Sequence, residues 1–375
     1  MNILLWSKNG AGPHYHGPGM NAWRMYSNLD PSAGCVRLLH ANRDQIRSDS
    51  DFWLDPHDVW LDSHCVANLD CDRTNPAIIL NRATQYLKQH RSSIDVLHGL
   101  SGFYPTVLLS LAAEQMGIPS VVKIVAHDTE VKRPESIRGF HRVIRQKLMR
   151  RISAFVAISD EIANSLHDLG IHPDRIHRIP NGVDTELFFP RERGFPQSNT
   201  KKILFAGGLV RRKRPHLLLQ ALSHLNETES VETIFAGPAH EAEYFQEMQR
   251  MAEHLGLAGR VHWPGFVHDM PKLMRESDVV CLPSEGEGMA NIVLEAMASG
   301  VPFVVTPCSG MNELVRLGGG LMAEPDPKDL ASKIEDALRN RKTLGERGRV
   351  IATNRFSSGT VMKAHLSVFN SLLRK

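Results

Sequence analysis

The sequence predicts an α/β protein made of two doubly wound, Rossmann-like domains facing each other across a cleft. Three observations carry this expectation. The chain has 375 residues, and at roughly 100–200 residues per domain that is enough for two cores. Short apolar runs alternate with helical patterns in both halves, the signature of βα units packed as parallel sheets. The series also starts twice, on either side of a stretch from Pro190 to Lys201 rich in Pro, Gly, Ser and charge.

In the first half, Asn2 to Trp6 reads as a strand, followed by a loop with Gly10, Gly12, Gly17 and Gly19 and a helix from about Asn21 to Leu29. Val36–His40, Val96–Leu97, Ser120–Val125 and Ala154–Ile158 read as further strands. Between them lie helices over about Ala77–His90, Pro105–Glu114, Glu135–Arg150 and Ser159–Leu169. Residues 41–75 are polar, with Asp58–Leu61 as a short strand candidate. Ile176–Ile179 ends the series at the turn Pro180-Asn181-Gly182, which gives a first domain over 1–185 and a linker over 186–200. The second domain, 201–356, runs through strands Lys202–Ala206, Thr233–Ala236, Arg260–Trp263, Val279–Leu282 and Phe303–Val305. A last helix, about 357–375, either packs on its own domain or crosses back to the first.

Composition narrows the function. Lys and Arg total 44 against 41 Asp and Glu, too small a surplus for nucleic acid as a partner, so any anion site is local. No run approaches the roughly 18 apolar residues of a membrane span. The odd set Cys35, Cys65, Cys71, Cys281 and Cys308 forms no disulfide framework and points to a reducing, cytoplasmic compartment. The spacing of His64, Cys65 and Cys71 fits no zinc pattern, so no metal is assigned.

The strongest motif is the segment Pro283 to Gly300, PSEGEGMANIVLEAMASG. A strand ends near Leu282, a small-residue loop follows, and a helix begins. The backbone N–H groups of Gly288, Met289, Ala290 and Asn291 therefore sit at the positive end of a helix dipole, where anions bind. Glu287 lies on the loop and Glu295 one turn into the helix. A carboxylate accepts two parallel hydrogen bonds, the geometry that grips adjacent sugar hydroxyls.

This segment resembles the Glu-x7-Glu motif of retaining glycosyltransferases of family 4, which have the GT-B fold. The resemblance implies that Glu287 and the amides of Gly288–Asn291 hold the donor sugar and that Glu295 binds the ribose. Many family members have Phe-Gly where this chain has Met289-Ala290. A second element, Phe205 to Pro215, again joins a strand, a glycine turn and a helix start, and carries Arg211, Arg212, Lys213 and Arg214. Four clustered cations repel unless an anion or solvent screens them. The family places an Arg and then a Lys here on the donor diphosphate. Lys213 matches the Lys, whereas Gly208 occupies the usual Arg position, leaving Arg211 or Arg212 to supply that charge. Phe266 and Val267 resemble the segment that meets the nucleotide base, with plain core as the alternative.

In the first half, the resemblance makes Gly17 and Gly19 part of a phosphate and acceptor loop; His14 and His16 read as exposed loop residues. It matches His98 and His127, both read as strand-end residues, to two histidines of the fold, the one at His127 reaching the donor sugar. The helix over 135–151 carries Arg138, Arg142, Arg145, Lys147, Arg150 and Arg151 around an apolar stripe. It is either an ordinary packed helix with solvated charges or a peripheral contact with an anionic membrane at the inner face.

The expected activity is sugar transfer with retention from a nucleotide diphosphate-sugar (UDP-, GDP- or ADP-sugar) to a glycan, lipid-linked or small-molecule acceptor, without a cofactor or metal. Glu287, His127 and Lys213 are the expected catalytic residues. The alternatives are a GT-B sugar-nucleotide epimerase, an inactive nucleotide-sugar-binding partner and, as a minor option, a dinucleotide-dependent dehydrogenase. No Gly-x-Gly-x-x-Gly with an acid about 20 residues on supports the last.

Overall fold

A computed structural model describes residues 1–7, 18–40, 66–68, 76–125, 139–192, 200–225 and 230–374. The chain forms two compact units, residues 1–182 with 358–375, and residues 183–357.

Unit 1 is a parallel sheet. Its elements are β1 (Asn2–Ser7), α1 (Pro18–Tyr26), β2 (Cys35–His40), β3 (Val66–Asn68), α2 (Pro76–Gln89), β4 (Val96–Leu100), α3 (Tyr104–Gln115), β5 (Ser120–Ile124), α4 (Gly139–Met149), β6 (Ala154–Ala157), α5 (Asp160–Asp168) and β7 (Ile176–Arg178). The strand order is β3-β2-β1-β4-β5-β6-β7. Side chains alternate between the faces of a strand, and β1 shows it. Ile3 and Leu5 join a core with Tyr26, whereas Leu4 and Trp6 join another with Ile79, Leu87 and Leu109. Helices thus cover both faces, as double winding requires.

Unit 2 contains β8 (Thr200–Ala206), α6 (Pro215–Leu222), β9 (Ser230–Ala236), α7 (Ala242–His254), β10 (Val261–Gly265), α8 (Met270–Glu276), β11 (Val279–Leu282), α9 (Asn291–Ala298), β12 (Phe303–Val305), α10 (Ser309–Leu317), β13 (Gly320–Met322), α11 (Pro327–Arg339) and α12 (Arg341–Ile351). Its order, β10-β9-β8-β11-β12-β13, reverses between β8 and β11. That reversal opens a crevice at the carboxyl ends of these two strands.

The final helix, α13 (Ser358–Leu373), belongs to unit 1, where Val361, Met362, Val368 and Phe369 share the core of Ile3 and Tyr26. Residues 183–192, placed by the sequence in and just before a linker, are part of unit 2. Phe188 is fully buried, and Arg349 Nη1 donates to the carbonyls of Thr185 (3.0 Å), Phe188 (2.9 Å) and Ala298 (2.8 Å). Among the described residues no helix is long and apolar enough to cross a membrane.

At the amino-terminal edge of unit 2's sheet, the buried Asp278 carboxylate accepts from the Lys202 N–H (2.9 Å) and faces Arg191 (3.8 Å) and Arg341 (3.9 Å). Burial lowers the Arg191 pKa, with Asp278 opposing that shift. Neutralising the acid leaves two guanidinium groups facing each other. Asp278→Asn is therefore expected to cost about 3–5 kcal/mol in urea unfolding; a change below about 1 kcal/mol would show the cluster to be solvent-screened.

Candidate active site

The two motif loops of unit 2 leave the two strands that flank its switch point, β8 and β11. The glycine turn after β8 approaches its neighbour closely. Gly207 and Gly237 have φ of +147° and +148°, and a Cβ on Gly237 would overlap the Gly207 carbonyl. Only glycine permits this approach. Gly207 N–H donates to Ala236 O (2.8 Å) and Leu209 N–H to Pro238 O (2.9 Å), which locks the turn to the end of β9. A short 3-10 turn over Arg211–Lys213 follows, and Arg214, at φ +49°, redirects the chain into α6.

The loop after β11 is stitched to this turn. Glu285 N–H donates to Arg212 O (2.9 Å), and Thr306 Oγ1 at the end of β12 donates to Ser284 O (2.7 Å). Glu287 stands at the centre of the assembly. Its Oε1 accepts from Ser284 Oγ (3.1 Å) and pairs with Lys213 Nζ (3.1 Å) and Arg212 Nη1 (3.4 Å), and Arg212 also donates to the Gly286 carbonyl. The Glu287 side chain is only 14% exposed and that of Lys213 19%, so both act with reduced screening.

Beyond the loop, α9 starts with Ala290 as its cap, a residue with no side chain able to accept a hydrogen bond, so the positive end of the helix adjoins the Glu287 loop. Met289 and Ala290 are buried, and Glu295 lies buried in the second turn of α9. The start of α10 closes the other side, where a Cβ on Gly310 would overlap the Gly288 carbonyl. Cys308 caps α10 beside Glu287, and burial pushes its thiol up to about 11.

Thus Gly208, Arg212, Lys213, Glu287, Gly288, Met289, Ala290, Asn291 and Glu295 all lie on the loops and helix that flank the β8/β11 crevice. Arg211 departs from expectation. Its guanidinium pairs with Glu247 of α7 (2.7 Å) and lies over the Tyr244 ring, 4.6 Å from its centroid. Arg212, not Arg211, accompanies Lys213. Phe266 follows β10 and is 43% exposed, edge-on to His268, so it is not plain core; Val267 is half-buried. The aromatic that packs here is Trp263, stacked on Phe235 at 4.6 Å. Sequence reasoning gave no role to Ser284, although it stands three residues before Glu287 directly after a strand.

Unit 1 corrects two expectations. His98 is not at a strand end: β4 runs on to Leu100, so His98 is mid-strand and fully buried, with Nδ1 2.7 Å from the Tyr26 hydroxyl. Burial first, then His365 and Lys123, push its pKa well below the usual histidine value. Gly19 is in the first turn of α1 rather than in a loop, because Pro18 opens the helix three residues earlier than predicted. Arg145 of α4 is not simply solvated, since its guanidinium donates to the Gly102 carbonyl after β4. His14, His16, Gly17, His127 and the start of the basic helix lie outside the described residues.

Two doubly wound parallel sheets, one with a charged loop pair at its switch point, make the chain a two-domain Rossmann-like enzyme of the GT-B fold. Comparison with known proteins specifies the class: the chain is a glycosyltransferase. Residues 189–353 match the family model described as glycosyl transferases group 1, and residues 55–187 match the one described as Glycosyltransferase Family 4. The chain is 27% identical to the MMP alpha-(1->4)-mannosyltransferase of Mycolicibacterium hassiacum, over 78% of this chain and 74% of that protein. It is 31% identical to the D-inositol 3-phosphate glycosyltransferase of Xylanimonas cellulosilytica, over 61% and 59% respectively. Among solved structures, HepE of Anabaena in complex with UDP and glucose matches with a TM-score of 0.75 at 22% identity, covering 99% of this chain and 100% of that one. Sucrose-phosphate synthase of Thermosynechococcus elongatus matches with a TM-score of 0.79 at 17% identity, covering 100% and 99%.

Proposed function

We propose that the chain is a retaining glycosyltransferase of family 4 that moves a sugar from a nucleotide diphosphate-sugar to a glycan, lipid-linked or small-molecule acceptor. One observation carries the reading: Lys213 and Arg212 converge on the Glu287 carboxylate beside the amino-terminal end of α9. Two cations and a helix N-terminus meet the charge that develops on a departing diphosphate. A single carboxylate within reach of both can hold a sugar hydroxyl while the diphosphate takes the cations. The relative crystallised with UDP and glucose supports a nucleotide-sugar donor. Unit 2 is the donor-binding unit and unit 1 the acceptor side. Glu287 orients the sugar, the amides of Gly288–Asn291 and Lys213 with Arg212 neutralise the diphosphate, and Glu295 takes the ribose. Phe266 and Val267 border the base. Transfer follows a same-face course in which the departing phosphate takes the acceptor proton, at the cytoplasmic side of the membrane.

The test is a thermal-shift panel of UDP, GDP, ADP and their sugars with the full chain. One base series is expected to raise the melting temperature by roughly 2–6 °C at about 100-fold excess over Kd. No response to any nucleotide would overturn the reading. Product NMR with the responding donor then reads retention, and conversion of the donor sugar without any acceptor would identify an epimerase instead.

A further inference from the structure

The core of unit 1 contains an amine that the proposed reaction does not use. Lys123 of β5 is only 2% exposed. Its Nζ donates to Asn21 Oδ1 in the first turn of α1 (2.8 Å), and Asn21 Nδ2 donates to the carbonyl of Gly182 (3.2 Å), the last residue of unit 1 before the chain enters unit 2. Among the described residues no carboxylate pairs with this amine. Among the described residues, His98 from β4 and His365 from α13 are the titratable groups that interact with it, and Tyr26 from α1 bonds His98; all three are buried and none is acidic at neutral pH. The His365 Nδ1 N–H is committed to Val361 O (2.9 Å), and Nε2 of both histidines has no partner among the described residues. An ammonium buried among bases is strongly unfavourable, and a core selected for stability alone would hold an apolar side chain here.

What Lys123 touches defines its task. Gly182 has no spare room, since a Cβ there would meet Ser358 Cα at 3.3 Å and Val361 Cβ at 3.4 Å. The next residue, Val183, donates to Phe356 O (2.8 Å) as the chain continues. We propose that Lys123 is a positioning residue for sugar transfer: through Asn21 it fixes both the first turn of α1 and the carbonyl at which the chain leaves unit 1. The kinetic part of this inference rests on the reaction proposed above; the structural part does not.

The experiment compares the full chain with Lys123→Met, Asn21→Ala and the double variant. Deuterium exchange is expected to be at least about fivefold faster at amides 19–24 and 181–184 in both single variants and unchanged in residues 96–100. Lys123→Met is expected to melt higher than the parent at pH 7. With the donor identified by the thermal-shift panel, kcat should fall at least about fivefold while donor KM stays within about twofold, the pattern of a misplaced rather than an unbound substrate. The double variant should be no slower than the slower single variant. Unchanged exchange at 19–24 and 181–184, a lower melting temperature for Lys123→Met, or kcat within about twofold of the parent would each overturn the proposal. If the parent turns over no donor, the reaction reading has failed, and exchange alone decides the role of Lys123.

Discussion

Glu287→Gln is expected to lower sugar transfer by about 10²–10³ in kcat while leaving the affinity for the nucleoside diphosphate unchanged or raised. Opposite effects on turnover and product binding follow from the geometry. Glu287 Oε1 is the shared counter-ion of Lys213 and Arg212 and is also bonded to Ser284. A diphosphate therefore competes with Glu287 for those two cations. Removing the negative charge frees them for the phosphates, but it also removes the acceptor that would hold a sugar hydroxyl. The side chain is nearly isosteric, and Ser284 can bond either amide or carboxylate, so the fold should persist. Glu285→Gln is the control. Glu285 is 63% exposed and pairs with Arg214 at 3.4 Å, and solvent-exposed pairs contribute little, so its turnover should stay within about twofold. Calorimetric titration of UDP, GDP and ADP together with product formation from the matching sugar nucleotides checks both halves. A Glu287→Gln enzyme with undiminished turnover removes Glu287 from the mechanism, and one that loses diphosphate affinity refutes the competition.

The parts that could be read from the sequence are those written in local order. Strand, small-residue loop and helix are contiguous from Val279 to Ala298, so the site around Glu287 follows from about twenty letters, and the switch point adds the loop after β8. Charge choice within that loop did not follow. Arg211 and Arg212 are adjacent, and only the position of Glu247, on a helix packed beside the turn, draws the first away from the crevice. Short elements were missed for a related reason. Gly320–Met322 is a three-residue strand behind two glycines at positive φ, and nothing in so short a segment separates strand from loop. His98 was misplaced because Gly99 and Leu100 gave no apolar run, although both are fully buried inside β4. Lys123 was hidden altogether, since it interrupts the apolar stretch Val121–Val125 and its partner Asn21 is 102 residues away.

The buried amine of Lys123 should give the fold a pH-dependent stability that its replacement abolishes. Burial lowers its pKa from 10.5 to about 7. Between those values the unfolded chain holds a proton that the folded chain has released, so stability rises as pH increases through this window. The penalty is present in full below pH 7 and gone above 10.5. A shift of this size corresponds to at most about 5 kcal/mol. Lys123→Met removes the penalty but also deletes the hydrogen bond from Lys123 to Asn21 Oδ1, a loss of about 1–2 kcal/mol at every pH. The variant should therefore be more stable than the parent at pH 6.5 by about 2–4 kcal/mol and slightly less stable at pH 10. Tyr26, whose pKa burial raises, and His365, whose pKa burial lowers to about 3, are present in both proteins. Their own pH dependence cancels to first order in the difference. The measurement is urea unfolding of parent and variant at half-unit steps from pH 6.5 to 10. A stability difference that stays flat within about 1 kcal/mol across that range would mean that Lys123 keeps its proton in the folded core, held by solvent or by an anion that Asn21 alone does not supply.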